Sequence, residues 1–217
     1  MTQPSQTSPD AIQQQLHQQL RGLREAMLWK VEGLPEPDLR TPLTPTGTNL
    51  LGLLKHLTAL EFGHFGTGFG RPVPDLPMLH PEADPAQDFI AEPDEDAPGL
   101  VSLYRQACEQ ADELIASQPM DTPGTIPWWP APQTTLGAVL VHHLAEVARH
   151  VGHADILREL LDGRAGLHPE NRMLPTDDPQ HWEEQVERAR TLAKRAEVGA
   201  LDASQDLAVD PGAPDQP

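Results

Sequence analysis

The sequence predicts an all-α protein: an up-down four-helix bundle with one long crossover connection and a short helix added at its C-terminal end. Three observations carry that reading. Aromatic residues make up only 4% of 217 positions while Leu and Ala are plentiful, which favours helices over a sheet. Four stretches repeat apolar residues at intervals of three and four, the spacing that lines one face of a helix. The connections between them alternate short and long, as in a bundle whose chain must once travel its full length.

Taken in order, residues 1–9 are polar and are expected to be flexible. The bundle domain spans 10–165. Asp10 can cap a first helix whose stripe is Ile12, Leu16, Leu20, Leu23 and Met27, ending near Gly33. His17 falls one residue off that stripe and is expected to face solvent. Pro37, Pro42 and Pro45 rule out a continuous helix through the next connector. Thr46 or Thr48 can cap a second helix, Asn49 to about Phe65, striped by Leu50, Leu53, Leu54, Leu57 and Leu60 and carrying His56, Glu61 and His64.

After Gly70 the chain turns to Pro, Asp and Glu, a segment long enough to be functional in its own right. A third helix, Gly99 to about Ser117, follows. The run TIPWWPAP then sets Trp128 and Trp129 between prolines as a stiff aromatic corner. The fourth helix runs from Leu136 to Gly163, with Thr134 or Thr135 as N-cap and Gly163 as its stop. Helices one and two can pair, as can three and four. Residues 166–198 read as an irregular arm and a terminal helix that starts at Asp178 with Pro179 in its first turn. Residues 199–217 read as a disordered acidic tail.

A formal charge of −18 opposes nucleic acid and anionic membrane as partners, since either would be repelled over most of the surface. The lone Cys108 rules out an intrachain disulfide and a Cys-rich zinc site. On the third helix's apolar stripe it also lacks the electropositive setting of a nucleophile. No apolar window reaches the ~20 residues that span a bilayer. The first residues show neither the basic stretch nor the apolar run of a signal peptide, so a cytoplasmic protein is expected. Bundles of this size often form homodimers, and that state is left open.

The fourth helix holds the chemistry. Leu136, Val139, Val147, Leu157 and Leu161 share one side with His143, Glu146, His150 and His153. Polar groups on a core-facing stripe cost roughly 1–3 kcal/mol each unless something satisfies them. Glu146 and His150, one turn apart, can converge on a single cation. A catalytic metal usually takes three protein ligands, so a histidine of the second helix is the natural complement. Periodicity offers both His64 and His56 and slightly favours His64.

The segments KHLTALE, HHLAEVARHVGHADILRELLDG and TPTGTNLLGLL resemble the DinB/YfiT-like superfamily of metal-binding four-helix bundles, over roughly residues 11–165. The nearest branch is that of mycothiol-dependent transferases and maleylpyruvate isomerase. The resemblance implies a ligand set of His56, Glu146 and His150, selecting His56 over His64. It leaves His153, with His143 and His64, as supporting residues around the metal. Imidazole and carboxylate donors suit zinc, with nickel, iron or manganese as alternatives.

The activity so implied is S-transfer from a low-molecular-weight thiol, of the mycothiol or bacillithiol type, to a small electrophile. Trp128, Trp129 and Arg149 are candidates for contacts with the bound molecules. Two other readings stay open: a non-enzymatic, stress-related metal-binding bundle, and a metal-dependent hydrolase of small molecules.

Overall fold

A computed structural model describes residues 9–206 except positions 81, 82 and 85. The four long helices are α1 (Pro9–Val31), α3 (Leu50–Glu61), α4 (Ala97–Ser117) and α5 (Leu136–Asp162). Between the first two lies a single short helical stretch, α2 (Glu36–Arg40), inside the proline-rich connector. Residues 1–8 and 207–217, to which flexible ends were assigned, lie outside the described residues.

The helix starts are set by side-chain caps. Asn49 caps α3 by accepting from the Gly52 amide at 2.8 Å, a correction to Thr46 or Thr48. The two threonine hydroxyls are occupied within the preceding turn, 3.5 Å apart, and Asn49 is the extended residue that directly precedes the helix. Asp96 caps α4 through the Gly99 amide, two residues earlier than the sequence suggests. Thr135 caps α5, and Gly163 ends it at φ +74°, a left-handed conformation that favours glycine.

The apolar stripes meet as expected in one core, among them Leu20, Met27, Leu54, Leu57, Ala111, Val139, Val147 and Leu157. The pairing differs from the expectation. α1 packs most extensively on α5, and α3 on α4. Polar ties explain the first pairing. Arg158 is buried, and its Nη1 donates to the carbonyls of Trp29, Lys30 and Glu32 at 2.8–3.2 Å, closing the C-terminal end of α1. The buried Lys30 ammonium pairs with Asp155 at 2.7 Å and with the Gly166 carbonyl. Asp155 and Arg158 therefore act together as a helix-end clamp.

α3 does not stop at Glu61. It widens into one π turn, Phe62–Gly66, and a 3-10 turn, Thr67–Phe69. The crossover then folds back over α3 and is pinned there. The buried Lys55 donates to the Ile90 carbonyl at 2.9 Å and pairs with Glu95 at 2.6 Å, and Arg40 holds the Ala91 and Glu95 carbonyls. Gly52 lets the backbone of Phe89 lie directly on the helix, where any Cβ would collide with the Phe89 carbonyl.

Beyond α4, a two-stranded antiparallel hairpin pairs β1 (Pro123–Thr125) with β2 (Gln133–Thr135), and Trp128 and Trp129 sit in its loop. The sequence reading contains no strand. Contacts divide the chain into two compact units that meet at Met173 and Leu174, eight residues beyond the boundary at 165, because Gly166 is tied to Lys30 and Asp155. The second unit contains α6 (Pro179–Asp206). This helix continues past 198, where a disordered tail was expected, as no proline interrupts it before Pro211.

Candidate functional site

α3 and α5 bring His56 and His150 together. Their rings lie 4.7 Å apart, edge to face, and the His56 ring also stacks on Phe89 at 4.0 Å. Glu146, one turn before His150, places Oε2 3.7 Å from its Nε2. His153 is exposed, with its ring 5.4 Å from that of His150. Burial, and then the proximity of His56 and His153, pushes the His150 pKa down to about 4. Its imidazole is therefore neutral at pH 7, and both its lone pair and its proton need partners. Its Nδ1 is buried and has no hydrogen-bond partner among the described residues.

The crossover supplies a residue the sequence reading missed. Asp88 Oδ2 accepts from His56 Nδ1 at 2.7 Å. The carboxylate is the acceptor, so Nδ1 donates, and Nε2 is the ring nitrogen left for a cation. The only hint in the sequence is the length of the crossover, and nothing in its acidic composition distinguishes Asp88 from its neighbours.

His64 and His143, expected around the metal ligands, join a different group deeper in the bundle. His64 Nδ1 is 3.0 Å from His143 Nδ1, and His143 Nε2 lies 2.8 Å from Glu61 Oε1, though not aligned as a well-formed hydrogen bond. Glu61 accepts two bonds of 2.6 Å from Arg24, which reaches on to Asp112 at 2.5 Å. Burial alone would raise the Glu61 pKa, but Arg24 and His143 outweigh it and hold the carboxyl at about 2. His17 closes the chain at 2.7 Å from Asp112, so it is a partner in this network rather than a solvent-facing residue. Burial and the neighbouring His143 and His142 push His64 down to about 3.

At the far side of His64 stands the aromatic corner. Trp128 is 54% exposed and stacks over His64 at 5.9 Å, while Trp129 contacts His142 at 4.7 Å. Arg149 is exposed on α5. Burial raises the Cys108 thiol pKa well above the ordinary value, so no nucleophile arises there.

An all-α bundle in which α3 brings His56 beside the Glu146 and His150 of α5 has the form of a DinB/YfiT-like protein. Residues 15–163 match the family model described as mycothiol-S-transferase, and the chain belongs to that family. It has no match among curated proteins. The family-level activity is therefore thiol-dependent transfer.

Among the described residues, no three His, Cys, Asp or Glu side chains are gathered closely enough to cage a metal as they stand. The donor types nonetheless fit one. His56 has Nε2 left for a cation, His150 is neutral, and Glu146 Oε2 lies 3.7 Å from His150 Nε2. This N, N, O set suits zinc.

Proposed function

We propose that this protein is a metal-dependent thiol S-transferase in which His56, Glu146 and His150 hold one divalent cation, zinc by preference, with mycothiol as the thiol. The observation that supports it is the meeting of His56 and His150 beside Glu146, in a chain of the mycothiol S-transferase family. Asp88 keeps the His56 ring oriented, with Nδ1 as the donor and Nε2 as the nitrogen for the cation. Burial keeps His150 neutral, so that no proton competes for its lone pair. Glu146 offsets part of the cation's charge. Such a cation, when bound, lets a thiol ionise near neutral pH. In the transfer the S–H bond breaks and a C–S bond forms: an electrophile with a polarised double bond or strained ring takes up the proton at the atom that receives the electron pair, and one with a leaving group releases that group with the proton, giving a thioether. The reading also assigns the protein to the cytoplasm, where small thiols are kept reduced.

Purified protein is assayed for metal and for consumption of mycothiol in the presence of a generic electrophile. One equivalent of metal and thiol loss are expected in the wild type, and both should vanish in His150→Ala. Metal without thiol loss favours a structural site. Ester cleavage without thiol favours a hydrolase, and absence of metal in the wild type overturns the proposal.

A further inference from the structure

Along α3, from the His56 end toward the aromatic corner, runs a cavity of about 540 Å³, within the size range of sites for small organic molecules. Ala59, Leu60 and Gly63 of α3 form its floor, Met78 of the crossover one wall, and Trp128 its far end. Its near end is Asp88, whose other contact is the 2.7 Å bond to His56. Gly63 brings the indole close, since a Cβ there would sit 3.0 Å from Trp128 Cη2.

Three features define what fits. The walls are mainly apolar, and the half-exposed indole offers a flat face for stacking. No Lys or Arg is among the described lining residues, and the one lining imidazole, His80, is paired with Asp75 at 2.7 Å. The nearest fixed charge is the Asp88 carboxylate. A carboxylate or phosphate entering here would lose its hydration, meet no Lys or Arg side chain among the described lining residues and face a like charge.

We infer that this cavity binds the electrophile, and that it selects an uncharged, flat apolar molecule, stacked on Trp128 with its other end toward Asp88 and His56. As the electrophile's site it rests on the proposed thiol transfer, but its occupancy can be read without thiol or metal. The overall charge of −18 adds to the exclusion of anions, and the lack of Lys and Arg among the described lining residues is what makes the exclusion local.

The test uses two probes with one ring system, naphthalene methanol and naphthoate, titrated into the full chain with and without zinc. The four Trp side chains give four indole N–H resonances, and Trp128→Phe assigns one of them. Naphthalene methanol should shift the Trp128 resonance saturably, and naphthoate should bind at least about tenfold more weakly. Met78→Lys, which adds a cation to one wall, should reverse that order. Absence of a saturable Trp128 shift, equal binding of the two probes, or an unchanged preference in Met78→Lys overturns the assignment. Probe binding at Trp128 with no thiol consumption would instead retain the site and overturn the transferase reading, so the two failures are distinct.

Discussion

Replacing Arg24 by Met removes the guanidinium paired with the buried carboxylate of Glu61. Both side chains are nearly inaccessible, at 4% and 0% side-chain exposure, and they share two hydrogen bonds of 2.6 Å. The Glu61 carboxyl is held at about 2 against an ordinary 4.5. At ~1.4 kcal/mol per pH unit that difference corresponds to roughly 3 kcal/mol favouring the ionised form. Breaking one side of a buried pair typically costs about 3–5 kcal/mol, so the two routes agree.

Arg24→Met is therefore expected to lower the unfolding free energy at pH 7 by about 3 kcal/mol, read from urea denaturation with an unchanged slope. Asp112 loses the same partner, but it is part-exposed and can turn to water. The double variant Arg24→Met, Glu61→Leu should recover most of the loss, because no charge then remains buried. In the wild type the pair's contribution is present above pH ~4.5 and is lost as pH falls through ~2, since the folded pKa is the depressed one. A cost below about 1 kcal/mol for Arg24→Met, or a double variant as unstable as the sum of its singles, would refute the reasoning.

Further outcomes follow from the same geometry. Asp88→Asn removes the carboxylate that orients His56 and should weaken zinc binding about 10- to 100-fold in a chelator competition, with little change in melting temperature. Gly52→Ala forces the Phe89 carbonyl off α3 and should cost about 1–3 kcal/mol, and it should also weaken zinc binding because Asp88 and Phe89 move together. His64 stays neutral down to about 3 in the folded chain but takes up a proton near 6.5 when unfolded. Stability should therefore fall as pH drops from about 6.5 toward 3, and His64→Gln should flatten that part of the urea midpoint–pH curve. A variant curve parallel to the wild type in that window would count against a buried neutral His64.

Much of the site was legible because two of its proposed ligands are neighbours in the chain. Glu146 and His150 share a helical face by virtue of spacing alone, and no tertiary information is needed to pair them. The choice between His56 and His64 was of another kind. Both lie on α3 near its leucine stripe, and only the packing of α5 and the crossover separates them: one faces His150 and Asp88, the other His143 and Trp128. Arg158 shows what local pattern leaves out: a charged side chain is ordinarily solvated, yet here the open carbonyls at the end of α1 satisfy a buried guanidinium.

What the sequence by itself determined is the set of helices, their caps to within a few residues, and the acid–imidazole pair of α5, since these depend on contacts between residues three or four apart. The tertiary structure alone decided which helices touch, that an aspartate 32 positions beyond His56 orients its ring, and that Glu61 sits against Arg24 and His143. Such partners are far apart along the chain, and their meeting is set by how helices and crossover pack, which no local periodicity encodes.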